Sequence, residues 1–96
     1  MIEIKELAVE NKKIRGLVAG LPKAPLVALI APKGYIMCGY LNLETAEKLG
    51  QAAAIVRGVD GIEDMLNKKI SASTSQAKIL GIIEGMSVKE ALKKLL

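Results

Sequence analysis

Six consecutive apolar residues, Leu26 to Ala31 (LVALIA), stand between Pro25 and Pro32. Proline cannot continue a helix or a central ladder, so the two rings fix where this run begins and ends. Six residues are too few for a stable helix and suit one strand. A strand with no polar residue in it is built to be covered on both faces. The run is therefore suited to a buried strand, and the rest of the chain has to supply its neighbours.

Residues 2–9 alternate apolar and polar side chains, the pattern of a half-buried strand, and "ENKK" at 10–13 reads as a turn. Residues 14–21 form a second strand, bulged or closely approached at Gly16 and Gly20. "PKAP" at 22–25 connects to LVALIA, Pro32-Lys33-Gly34 turn the chain, and residues 35–41 (YIMCGYL) form a fourth strand. The first forty residues thus read as a β-meander with hairpin-length connections.

The second half changes period. Asn42 is an N-cap for a helix over 43–49, and Gly50 is suited to follow its end. Residues 52–59 read as a buried strand. Asp60-Gly-Ile-Glu63 resembles a capping box opening a helix over 61–67. A short strand at 69–73 leads to a helix capped by Ser75 and ended by Gly81. Ser87-Val-Lys-Glu90 is a capping box, and the last helix places Val88, Ala91, Leu92 and Leu95 on one face. NLETAEKLG (42–50) and STSQAKILG (73–81) echo each other, which shared helix start and stop chemistry accounts for. The expected fold class is α+β (mixed α/β), an N-terminal antiparallel β-meander followed by short helices alternating with one or two strands. One domain spans 1–96, with a β-rich assembly region over 1–41 and an α/β region over 42–96.

Composition bears on assembly. Apolar residues make up 51% of the chain and aromatics only 2%, so the core must come from aliphatic side chains. A chain this short buries only about two-thirds of its unfolded surface. Apolar surface left over marks an interface, and the expected partner is the chain itself, as a homo-oligomer.

Much chemistry is excluded. The chain has no histidine and one cysteine, Cys38. Ser-His-Asp and Cys-His arrangements and Cys/His zinc sites are ruled out, so the expectation is no metal and no cofactor. A single thiol with no bridge fits a reducing cytoplasm. The first residues show no signal-peptide pattern, and the longest apolar run is too short to cross a bilayer, so no membrane role is expected. The net charge of +4 is unevenly spread: residues 1–34 carry +3, residues 35–66 carry −3 and residues 67–96 carry +4. Twelve of the fourteen cations are lysine. A nucleic-acid face would more often show arginine beside stacking rings, so that partner is disfavoured. The scarcity of Asn and Gln against abundant Lys and Glu leans towards a heat-adapted source.

From Gly34 onward the pattern is similar to a known one. Gly34 through Asn42, Ala52 to Val59 with Arg57-Gly58-Val59, Asp64-Met65-Leu66, "LGI" at 80–82, "GM" at 85–86 and "EALKKLL" at 90–96 resemble the YunC-like domain-of-unknown-function family of bacteria and archaea. The resemblance covers roughly residues 26–96, and MCGYLN (37–42) is its most specific part. It implies assembly through the N-terminal β region, as tetramers. No activity is established for that family, so it carries over no catalytic residues.

Six residues are candidates for a site. Cys38, the one catalytic candidate, lies between Ile36 and Tyr40 on one strand face, where a small hydrophobe is the simplest reading. As a nucleophile it would need a cation or a helix N-terminus beside it. Tyr40 and Asn42 sit at a strand end, where α/β layers often take ligands. Arg57, one of two arginines, could clamp an anion or pair with Asp60 or Asp64. Ser73 and Ser75 belong to a hydroxyl cluster entering a helix, which could hold an anion or serve as ordinary capping. The sequence therefore reads as a small cytoplasmic binding or interaction module of no assigned activity. The alternative is a small-ligand protein or enzyme with a thiol/anion site around Cys38, Tyr40 and Arg57.

Overall fold

A computed structural model describes all residues, 1–96. Its centre is a six-stranded sheet in which spatial order equals chain order. The strands are β1 (Ile2–Val9), β2 (Lys12–Ala19), β3 (Leu26–Ala31), β4 (Gly34–Met37), β5 (Ala53–Ile55) and β6 (Ala72–Ser73). The helices are α1 (Leu43–Lys48), α2 (Ile62–Leu66), α3 (Ser75–Ile79) and α4 (Val88–Lys94). β1 to β4 are antiparallel, as the meander reading requires. β4 and β5 pair parallel, so the connection through α1 joins the two halves of the chain in one sheet. The class is α+β.

The β1–β2 turn is tighter than expected. Glu10 and Asn11 both take positive φ, 48° and 68°, which gives a two-residue hairpin whose twist matches the strands. β2 accordingly starts at Lys12 rather than at Ile14. Its register runs without a bulge, and Gly16 is needed for close approach. A Cβ there would stand 2.7 Å from Ile62 Cδ1, because α2 packs against β2 and β3. Gly34, which in sequence is simply a turn residue after Pro32-Lys33, is a stricter case. A Cβ there would fall 2.0 Å from the Ala52 carbonyl oxygen, at the start of the parallel β4–β5 ladder.

Eighteen buried residues form one core on one side of the sheet. Ile14, Val27, Leu29, Ile36, Ala54 and Val56 supply the sheet half. Ile62, Met65, Ala77 and the predicted α4 face of Val88, Ala91, Leu92 and Leu95 supply the helix half. Ala46 of α1 and Ala53 and Ile55 of β5 are buried but lie outside this cluster. α1 packs on β5 from the opposite side. No helix reaches that opposite side over β1, β2 and β3.

The consequence corrects the expectation for LVALIA. Val27, Ala28 and Leu29 are fully buried, but Ile30 is 46% exposed. The register aligns Ile30 with Arg15 and Tyr35, Ala28 with Leu17 and Met37, and Ala19 with both Leu26 and Ile2. Ile2, Ile4, Leu17, Leu26, Ile30 and Met37 therefore share one open face. Ile2 and Ile4 are 73% and 69% exposed. Glu6, Lys13 and Arg15 border this face at the hairpin end, where Lys13 and Glu6 pair at 3.7 Å.

Helix caps follow local chemistry with two corrections. Asn42 caps α1 through Oδ1, which accepts the Thr45 N–H at 3.1 Å, and Ser87 caps α4 by accepting from Glu90 N–H at 3.2 Å. α3 is capped by Thr74, not Ser75, since the Thr74 hydroxyl accepts the Ala77 N–H. α2 starts one residue later than Asp60 would place it, with Gly61 at the cap. There the Asp64 carboxylate reaches back to the Asp60 N–H at 3.0 Å.

Candidate functional site

β4 stops at Met37, four residues short of the expected strand end, and the chain turns at once. The Leu41 N–H donates to the Cys38 carbonyl at 3.0 Å, closing a turn over 38–41. Cys38 still continues the β3 pairing, since its N–H donates to Val27 O at 2.9 Å. Its Sγ accepts the Val27 N–H at 3.3 Å. The thiol is 4% exposed and part of the main core. The alternation that pairs Ile36 with Cys38 is thus correct, and its extension to Tyr40 is not. Tyr40 lies in the turn, 52% exposed, and its hydroxyl donates to Ala24 O at 3.2 Å.

This turn forms one wall of a cavity of about 340 Å³ lined by Ala24, Pro25, Cys38, Gly39, Tyr40, Gly58, Val59 and Asp60. The opposite wall exists because Gly58 takes φ +70°, a left-handed bend that suits glycine and ends the buried run 52–56. The Asp60 carboxylate makes no hydrogen bond or ion pair. The structure therefore brings Cys38 and Tyr40 around one cavity. Asn42 is committed to its cap.

Arg57 is exposed beside this bend but does not line the cavity. It makes no salt bridge, so the expected pairing with Asp60 or Asp64 does not form; Asp64 is turned to the Asp60 backbone instead. Ser73 and Ser75 are elsewhere, at the far edge of β5. Ser73 Oγ donates to Ile82 O at 2.9 Å and is buried. The Ser75 N–H donates to Glu47 Oε1 at 2.8 Å. The start of α3 thus receives a carboxylate from α1 of the same chain. Hydrogen bonds from the Ser75 backbone and then its side chain, with Lys78 nearby, hold Glu47 below its usual carboxylate range.

Thr74 is the residue that sequence reasoning missed. Its hydroxyl donates to Gln51 O at 2.7 Å and accepts from Ala53 N–H at 3.1 Å and Ala77 N–H at 3.3 Å. It is fully buried and ties α3 to the entry of β5. In Ser73-Thr74-Ser75 every residue can cap, so the local pattern cannot rank them. Tyr35 is a smaller surprise. Its hydroxyl donates to Gln51 Oε1, and partial burial raises its pKa above the usual 10.0.

Residues 37–95 match the family described as "Domain of unknown function (DUF1805)". The chain is 32% identical over 100 residues to the uncharacterized protein YunC of Bacillus subtilis (strain 168), covering 100% of this chain and 99% of that protein. Its fold is similar to the crystal structure of TA1206, a protein of unknown function from Thermoplasma acidophilum. The TM-score is 0.96 at 35% identity, over 100% of this chain and 94% of the other. These matches agree with the MCGYLN turn and the capped helices that follow it: the chain belongs to the YunC-like DUF1805 family of domains of unknown function.

Proposed function

We propose that this chain works as a self-assembling interaction module whose open sheet face is covered by further copies of itself. The observation that carries this is the row Ile2, Ile4, Leu17, Leu26, Ile30 and Met37 on one face, bordered by Glu6, Lys13 and Arg15. A contiguous apolar patch with a charged border is the pattern of a protein interface. Covering an exposed isoleucine fully is worth about 1.5–3 kcal/mol, so a few such residues can hold copies together. The lone unbridged thiol supports a cytoplasmic setting. Light scattering after size exclusion tests the reading. The wild type should run as a multimer of the 10.2 kDa chain, and Ile30→Asp should shift it towards the single chain. A wild type of single-chain mass at every micromolar concentration would overturn it.

The cavity beside Cys38 and Tyr40 favours a second reading, a small-ligand site with the thiol in its wall. Its test is the alkylation rate of native Cys38. Labelling that occurs only on unfolding removes the thiol from the site and leaves Cys38 as core.

A further inference from the structure

β1 is the outermost strand of the sheet, and its far edge pairs with nothing in the chain. The Gly20 N–H donates to Met1 O at 2.8 Å. In an antiparallel ladder, alternate residues turn their backbone groups to the same neighbour. Met1, Glu3, Lys5, Leu7 and Val9 therefore face β2, and Ile2, Ile4, Glu6 and Ala8 present their N–H and C=O groups to the free edge. The edge is eight residues long with no proline. Such an edge is a template for pairing unless it is guarded.

We infer that β1 pairs antiparallel with β1 of a second copy, about a two-fold axis through Ile4. Two-fold pairing that joins free groups to free groups must place the axis on a residue of the strand. An axis at Glu3, Lys5 or Glu6 sets like charges directly opposite each other, which is unfavourable. An axis at Leu7 pairs no opposite charges, setting Lys5 against Val9 and Glu6 against Ala8. The axis at Ile4 sets Ile4 against Ile4, each Ile2 against Glu6 and each Glu3 against Lys5 of the other copy, and it alone among these registers joins opposite charges. Lys5 alone would guard the edge; the alternation Glu3-Ile4-Lys5 makes it complementary to itself. Glu3 and Lys5 lie on the helix side of the sheet, opposite Val18 and Gly16, and both are exposed and without an intrachain ion pair. Ile2 and Ile4 lie on the open face, so edge pairing runs that face across the axis.

This inference rests on self-assembly and adds which strands meet and in what register. Charge reversal tests it, with association measured by sedimentation equilibrium. Glu3→Lys and Lys5→Glu should each weaken edge pairing at least about tenfold, because each turns two attractive cross-strand pairs into two repulsive ones. The double variant E3K/K5E should restore wild-type association, and mixing the two single variants should give a heteromeric pair. Single variants that associate like the wild type, or a double variant as weak as the singles, would overturn the register. If Ile30→Asp weakens assembly while the charge set does nothing, the open face mediates assembly and the edge does not. A wild type monomeric throughout would defeat both.

Discussion

Replacing Thr74 by valine keeps the β-branched shape and removes the hydroxyl. Three hydrogen bonds go with it. The Gln51 carbonyl is only partly buried and can turn to water. The Ala53 and Ala77 N–H groups are buried and have no other partner. Stranding a buried donor costs about 1–3 kcal/mol, so Thr74→Val should cost about 2–6 kcal/mol. A domain of this length has a total stability of about 5–14 kcal/mol, so the loss is a large share. Thr74→Ser keeps the hydroxyl and loses one methyl, about 1 kcal/mol. Urea unfolding followed by circular dichroism measures both variants. It should be done at one fixed protein concentration, because assembly adds stability by mass action. The serine variant should unfold near the wild type and the valine variant at much lower urea. If valine costs no more than serine, the hydroxyl is not what ties α3 to β5, and the account of that junction is wrong.

Other positions make sharper or simpler statements. Gly34→Ala should destabilise by at least about 3 kcal/mol, since its Cβ meets backbone, the Ala52 carbonyl, at 2.0 Å. Gly16→Ala should cost only about 1–2 kcal/mol, because it meets the flexible tip of Ile62; equal midpoint shifts in thermal unfolding would contradict that ranking. Glu47 is held below its ordinary value of 4.5 in the folded chain, so it stabilises the fold above that pH and ceases to as the pH falls through its folded value. Glu47→Gln should flatten the acid side of the stability–pH curve, and an unchanged slope below 4.5 would refute the Ser75 contact.

How much was legible varies with the range of the interaction. The β-meander was readable because alternation and proline brackets are local. The cap at Asn42 and the capping box at Ser87 were readable because their bonds span three residues. The alternation in YIMCGYL puts Cys38 on the core face, but nothing in it marks the turn that follows Met37. Thr74 and Gly34 were missed because their meaning lies in groups far along the chain, at Gln51 to Ala53. By residue type alone Arg57 and Ser75 suit anion sites. Their surroundings, an unpaired surface position and a contact with Glu47, come from other segments.

The sequence by itself determined the strands, most helix starts and the absence of histidine chemistry, because these depend on neighbours within a few residues. Only the tertiary structure decided which side of the sheet stays open. The apolar run LVALIA is equally greasy towards both faces. Whether Ile30 is covered depends on where α1, α2, α3 and α4 come to rest. Three of them serve the face of Val27 and Leu29, and α1 reaches the other side only over β5. Helix placement is set by the summed packing of the whole chain, which no local pattern contains.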